Sequence, residues 1–187
     1  NITAAIAAAR MIGVDFIEIK NNIKYLKLPK KRFEFRGQLD ERNLYDDYAH
    51  HPNEIKATIK LGRLFINQKR KNESQKGRLV AIFQPHRYSR VKQFAKEFAL
   101  ELSRADVIFV TSIYAAGEGN KDQIDSKIIT DLIYKLNKNV SYINNHHEIT
   151  KDFYELTQKG DLILNMGAGD CHNFWSILNL NKKSKLL

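Results

Sequence analysis

Leu79-Val80-Ala81-Ile82-Phe83 runs without a break into Gln84-Pro85-His86-Arg87-Tyr88-Ser89-Arg90. The first five residues read as a short, continuously apolar strand. Beyond the polar segment, Val91, Phe94, Phe98 and Leu102 recur at helical spacing, and Val107-Ile108-Phe109-Val110 supplies a second apolar strand. Strands that are apolar throughout and separated by a helix belong to a parallel sheet covered on both faces.

The alternation continues toward the C-terminus. Ile124, Ile128, Leu132 and Leu136 line a helix, Val140 to Ile143 reads as a weaker strand, and Ile149, Phe153 and Leu156 mark another helical face. Leu162-Ile163-Leu164 is a strand entering Gly167-Ala168-Gly169-Asp170, and Phe174, Ile177 and Leu178 share one side of a last helix. Upstream, Phe33 and Phe35 alternate with polar residues and Gly37-Gln38-Leu39-Asp40 reads as a turn, which predicts strands over 33–37 and 43–47. Pro52 suits the first turn of a helix whose face carries Ile55, Ile59, Gly62 and Ile66. The expected fold is α/β over about residues 33–180, a mostly parallel sheet with helices on both faces and the first short strands antiparallel at one edge.

The first thirty residues read differently. Asn1 to Arg10 looks like a helix already under way, stopped by Gly13, with no cap before it, so an upstream element is expected. Asp15 can cap a second helix, with Glu18 completing a reciprocal cap, and Ile19, Ile23 and Leu26 form its apolar stripe. Pro29 ends the pattern before the hinge-like Lys30-Lys31-Arg32. Residues 1–30 therefore suit the end of another domain, and 31–187 a domain of their own.

With 31 Lys and Arg against 21 Asp and Glu, the 187-residue chain carries a formal charge of +10. That excess attracts anions, whether nucleotides, a pyrophosphate-linked sugar or a nucleic acid backbone, without choosing among them. Part of it is a solvated face: Lys69, Arg70, Lys71, Lys76 and Arg78 crowd a polar loop, and Lys182, Lys183 and Lys185 form a tail. Cys171 alone excludes an internal disulfide framework and suits a reducing compartment. No apolar run approaches the roughly 20 residues of a membrane span, and the start is not a signal peptide. A soluble, cytoplasmic protein with no membrane partner is expected.

In a sheet of this kind, ligands meet the loops at the C-terminal ends of the strands. Three polar clusters fall there. In Tyr45-Asp46-Asp47-Tyr48-Ala49-His50-His51-Pro52-Asn53-Glu54, Asp46 or Asp47 can accept from ribose hydroxyls and Tyr48 and His50 can orient a small polar substrate. A metal site is a weaker reading, since adjacent histidines diverge and no third ligand is specified; His51 and Asn53 also suit plain helix capping. In the second cluster, Arg87 and Arg90 can clamp a carboxylate or phosphate in a way lysine cannot. If Ser89 starts the helix, Arg90 sits in its first turn near unpaired N–H groups that also favour an anion, although both arginines could instead coat a surface. The third, Tyr114-Ala115-Ala116-Gly117-Glu118-Gly119, allows close backbone approach, with Glu118 ordering a basic group or accepting from a substrate amine. Gly167-Ala168-Gly169-Asp170 is ambiguous without a full glycine-rich fingerprint, and no G-x-x-x-x-G-K-[ST] phosphate loop occurs in the chain.

Taken together, Tyr45 to Glu54, Phe83 to Arg90 and Tyr114 to Glu118 closely resemble segments of the UDP-N-acetylmuramate–L-alanine ligases, a Mur ligase family of peptidoglycan synthesis. Asn1 to Ala9 resembles the helix near the end of that family's central ATP-binding domain, and Lys31-Arg32-Phe33 its basic hinge. The resemblance covers nearly the whole chain but only about the last two-fifths of the family architecture. It implies the Rossmann-like C-terminal domain of a Mur ligase, with residues 1–30 the helical remnant of the central domain and 31–187 the amino-acid-binding domain. It further implies L-alanine and UDP-N-acetylmuramate as substrates and ATP with Mg, held mostly by other domains, so that this chain alone is expected to be inactive. By resemblance, Asn1 contacts adenine, Arg32 lies near the nucleotide and Asp47 near its ribose, while Tyr48, His50, His86, Arg87 and Arg90 surround the alanine or the reacting phosphate. Arg87 and Arg90, with His86, are the residues assigned to catalysis. Lys31 stands where arginine is usual, and Ala49 where glycine is common. The competing expectations are a basic nucleic-acid or anion-binding module, for which no specific nucleic-acid motif speaks, and a non-catalytic remnant.

Overall fold

The computed structural model describes residues 2–26, 29–70, 77–144 and 149–178. Asn1, Lys71, Lys76 and the lysines of the tail lie outside them, and with them the adenine assignment. The chain divides into two compact units, Asn1–Lys30 and Lys31–Leu187.

In the first unit, helix α1 (Ile2–Met11) ends ahead of Gly13, whose φ of 91° breaks the helical path. Helix α2 (Phe16–Asn22) is capped by Asp15, which accepts the Ile17 N–H at 2.7 Å, and continues as a short 3-10 turn over Ile23–Tyr25. The predicted stripe is real: Ile19, Ile23 and Leu26 line an apolar groove of about 200 Å³ with Ile2, Ala5, Ile6 and Ala9.

The second unit holds strands β1 (Glu34–Leu39), β2 (Arg42–Asp47), β3 (Leu79–Phe83), β4 (Val107–Thr111), β5 (Val140–Ile143) and β6 (Leu162–Met166) in one sheet of order β1-β2-β6-β3-β4-β5. Only the edge pair β1·β2 is antiparallel; β2·β6, β6·β3, β3·β4 and β4·β5 are parallel. Every residue of β3, β4 and β6 is buried, including Thr111 and Asn165 near the ends of the otherwise apolar β4 and β6.

The two-residue pleat sorts these strands between two cores. Ala81, Phe83, Ile108, Val110 and Leu164 face helices α3 (Pro52–Arg70), α4 (Tyr88–Leu102) and α5 (Lys127–Leu136), meeting Ile55, Ile59, Phe98, Leu102, Ile129 and Ile133. Val80, Ile82, Phe109 and Ile163 face the opposite side, against Phe153 of α6 (Ile149–Leu156) and Phe174, Trp175 and Leu178 of the helical stretch 174–178. Gly62 lets α3 lie close on the sheet: a Cβ there would stand 2.8 Å from a Leu79 methyl and 3.1 Å from one of Leu164.

The expected turn at Gly37-Gln38-Leu39-Asp40 is displaced. β1 runs on to Leu39, and the hairpin turns through Asp40 and Glu41, whose φ angles of 47° and 63° are those of a two-residue turn matched to strand twist. Gly37, with φ 123°, marks instead a bulge where the register shifts between Phe35 and Gly37.

Candidate functional site

The exits of β2, β3, β4 and β6 lie at the same end of the sheet because these strands run parallel. At the β2 exit, the Asp47 carboxylate accepts the Phe33 N–H and the Ala49 N–H, each at 2.8 Å. One oxygen thus ties the chain that enters β1 to the β2 exit, and the other braces the loop that leaves it. Burial pushes the Asp47 carboxyl above its ordinary pKa, while those N–H groups pull the other way. Tyr48 N–H donates to the Lys31 carbonyl at 2.7 Å, and Lys31 and Phe33 sit at φ 57° and 47°, a strained entry that these bonds hold in place.

Helix α3 begins with a reciprocal cap. The His51 carbonyl accepts the Glu54 and Ile55 N–H groups, and Glu54 Oε2 accepts the N–H groups of His50 and His51 at 3.0 and 3.2 Å. His50 Nδ1 lies 2.8 Å from the Tyr48 carbonyl oxygen. A carbonyl can only accept, so Nδ1 carries a proton and Nε2 is left available.

At the β3 exit, Arg87 has φ 71° immediately ahead of α4 and is exposed. Arg90 Nη1 lies 3.2 Å from His86 Nδ1. A guanidinium only donates, so His86 Nδ1 accepts and the ring proton sits on Nε2. Burial, then Arg90, His50 and Arg87, push the His86 pKa below the ordinary histidine value, with Glu118 opposing. His86 is accordingly a neutral ring presenting an Nε2–H.

Three loops then form one row. The Arg32 guanidinium lies 5.5 Å from the Tyr48 ring centre; Tyr48 meets His50 edge-on at 5.2 Å; His50 lies 5.7 Å from His86; and His86 stacks on Tyr114 at 5.7 Å with an interplanar angle of 19°. Tyr114 is locked to the β3 exit by backbone bonds, its N–H to the Pro85 carbonyl at 2.8 Å and its carbonyl from the Arg87 N–H at 2.9 Å. Below it, Gln84 Nε2 donates to Asp170 at 2.7 Å and Gln84 Oε1 accepts the Cys171 N–H at 3.1 Å, anchoring the loop after β6. The row carries two guanidinium groups and two imidazoles, and suits a small anion with a donor or acceptor beside it.

The family model for the Mur ligase glutamate ligase domain matches residues 31–169. The chain belongs to the Mur ligase family. A UDP-N-acetylmuramate–L-alanine ligase of Prochlorococcus marinus subsp. pastoris is 65% identical over 179 residues, 95% of this chain and 38% of that protein. One of Synechococcus elongatus is 43% identical over 172 residues, 91% of this chain and 36% of that protein. The chain thus spans under two-fifths of the length of these relatives. Among solved structures, the UDP-N-acetylmuramate-alanine ligase of Thermotoga maritima superposes with a TM-score of 0.73 at 24% identity, over 98% of this chain and 37% of that one. A murein peptide ligase of Psychrobacter arcticus gives 0.65 at 24% identity, over 94% and 35%. These two likenesses speak for the α/β fold.

Within this Mur ligase domain, the structure brings Arg32, Tyr48, His50, His86 and Arg90 together. Three expectations gain structural detail. Asp47 already accepts from two backbone N–H groups, and Asp46, 3% exposed, accepts at Oδ1 from Trp175 Nε1–H at 2.7 Å and Asn165 Nδ2 at 2.9 Å. Helix α4 starts at Tyr88, one residue before the expected Ser89. Glu118 is engaged as its cap: one oxygen accepts the Ser89 N–H at 3.0 Å and the other the Ser89 hydroxyl at 2.7 Å, bonds that hold its pKa below the ordinary glutamate value. The first-turn N–H groups of a helix need acceptors, and Glu118 supplies one here.

Histidines 50 and 51 diverge, His51 facing Phe94 at 5.0 Å rather than the row. Among the described residues, no group of three or more His, Cys, Asp or Glu side chains is placed to hold a metal ion. Lys31, in the usual arginine position, reaches His172 Nδ1 at 3.2 Å. Burial pushes the Cys171 thiol up to about 12, leaving it inert. Among the described residues, no helix is long and apolar enough to cross a membrane.

Two members of the site escaped the reading of the sequence. Tyr114 stood inside a noted cluster without a role, and Gln84 carried no signal beyond its place after a strand.

Proposed function

We propose that this chain is the amino-acid-binding part of an ATP-dependent ligase that joins L-alanine to UDP-N-acetylmuramate in peptidoglycan synthesis. Residues 31–187 take the alanine, and residues 1–30 belong with the nucleotide-binding domain. The observation that carries this reading is the row itself: Arg32, Tyr48, His50 and His86 in contact, with Arg90 bonded to His86. Such a site offers a carboxylate two guanidinium forks, from Arg90 and the exposed Arg87, and offers Nε2–H of His86 as a further donor. The relatives' names supply the substrate pair.

In that reaction ATP phosphorylates the sugar's lactyl carboxylate. The alanine nitrogen then attacks the acyl carbon, the bond from that carbon to the phosphate oxygen breaks, and the nitrogen loses a proton as the amide forms. Arg87 and Arg90 hold the alanine carboxylate and stabilise negative charge that develops on the tetrahedral carbon's oxygen. His86, already accepting from Arg90, positions by donation. His50, with Nε2 available, is the better placed of the two histidines to take the proton. ATP phosphates and magnesium are bound mostly by other domains of the ligase, with Arg32 near the nucleotide.

The test is alanine-dependent ADP release. The purified chain yields none, and a full-length ligase carrying it does so with UDP-N-acetylmuramate. Release that is indifferent to Arg87→Ala and Arg90→Ala together sinks the reading.

A further inference from the structure

We propose that Tyr114 is a positioning residue: stacked on His86 and packed against Gly169, it sets the ring plane that keeps His86 Nδ1 on Arg90 in the amino-acid site. His86 is held at Nδ1 by Arg90 at 3.2 Å and flanked by His50 at 5.7 Å, but neither contact fixes the ring plane. The near-parallel Tyr114 ring, tilted by 19°, does. Tyr114 in turn has little room. A methyl group on Gly169 would stand 2.5 Å from Tyr114 Cγ, 2.8 Å from Cδ2 and 2.5 Å from Gln84 Oε1, so the glycine is the closest backing its ring can have. The Gln84 bonds to Asp170 and Cys171 keep that loop from retreating. Backbone bonds on both sides of Tyr114 hold its Cα beside Pro85 and Arg87, and 39% of the residue stays exposed. The tautomer matters because only Nδ1 as acceptor leaves Nε2–H pointing away from Arg90. Only the consequence for alanine rests on the ligase reading.

The imidazole nitrogen resonances of His86, read by long-range proton–nitrogen NMR on this chain, test the positioning directly. The unsubstituted chain and Tyr114→Phe show a single tautomer with a bare Nδ1 and a protonated Nε2. Tyr114→Leu, which keeps bulk but loses the flat face, shows an averaged tautomer mixture; Gly169→Ala, which crowds the ring out of its place, does the same. In the full-length ligase, Tyr114→Leu raises the alanine KM roughly fivefold with kcat little changed, and Tyr114→Phe restores it. A wild-type His86 signature in both Tyr114→Leu and Gly169→Ala overturns the proposal, whatever the activity. If instead the unsubstituted ligase releases no ADP with alanine while the His86 signature still shifts in those variants, the positioning stands and the ligase reading falls.

Discussion

The two strand-to-helix loops that build the site are capped in opposite ways. After β2, the acceptor for the first N–H groups of the loop and helix is Glu54, four residues from His50 and three from His51. After β3, the acceptor is Glu118, twenty-nine residues beyond Ser89 and on a different loop. The first loop holds His50 and His51 by local bonds, with the Tyr48 N–H tied to the Lys31 carbonyl ahead of β1. The second places Arg87 and Arg90 only once the loop after β4 has docked, so the anion-binding half of the site depends on the sheet being closed.

The largest effect expected from this contrast lies in the second loop. Arg90→Ala in a full-length ligase lowers alanine-dependent ADP release by about 100-fold or more, as for other lost groups that stabilise developing charge. Arg90→Lys fails to restore it, because a point charge cannot serve both His86 and a carboxylate. Full recovery with lysine would mean that charge alone suffices and that the His86 contact is incidental.

Next comes Glu118→Gln, which leaves the fold intact but loosens two loops at once. Amide exchange accelerates both at Ser89 in α4 and across residues 114–118, and the alanine KM rises. Acceleration confined to α4 would show that the loops are not coupled. Glu54→Gln is the local counterpart. It costs about 0.5–1 kcal/mol of stability in urea unfolding and accelerates exchange at His50 and His51 without touching α4.

The smallest effect is on pH. Glu118 has a depressed carboxyl, so the stability it contributes is present above the ordinary glutamate range and lost as pH falls through its own lower pKa. His86 is depressed too, so its contribution is present above the ordinary histidine range and declines as pH falls through that range toward its own value. Thermal midpoints therefore drop in two steps on acidification. The acid-side step shrinks in Glu118→Gln and the neutral-side step in His86→Asn; unchanged profiles in both would remove the electrostatic account of the second loop.

Much of the fold was legible because it follows from repeating local rules. The apolar runs at Leu79 to Phe83, Val107 to Val110 and Leu162 to Leu164 are the three fully buried strands. The helical faces of Ile55, Ile59 and Ile66 and of Val91, Phe98 and Leu102 are all in the core. Gly37 misled because glycine serves a bulge as readily as a turn, and the neighbouring β2 strand decides which. The partners of the acids were illegible for a related reason. Asp46, Asp47 and Glu118 sit among functional groups in sequence, and each also accepts from an N–H that a residue distant in the chain supplies.

The chain's own order of residues determined the strand and helix periods, the basic charge, the reciprocal cap of α3 and the cluster of arginines and histidines after the strands, because each depends on side chains within a few positions. Tertiary structure alone decided that Asp47 ties Phe33 to the β2 exit, that Glu118 caps α4, that His50, His86 and Tyr114 share one row, and that Gly169 lies against the Tyr114 ring. Those properties belong to contacts between separate strand exits, and a parallel sheet brings such exits together only by crossing over through the helices between them.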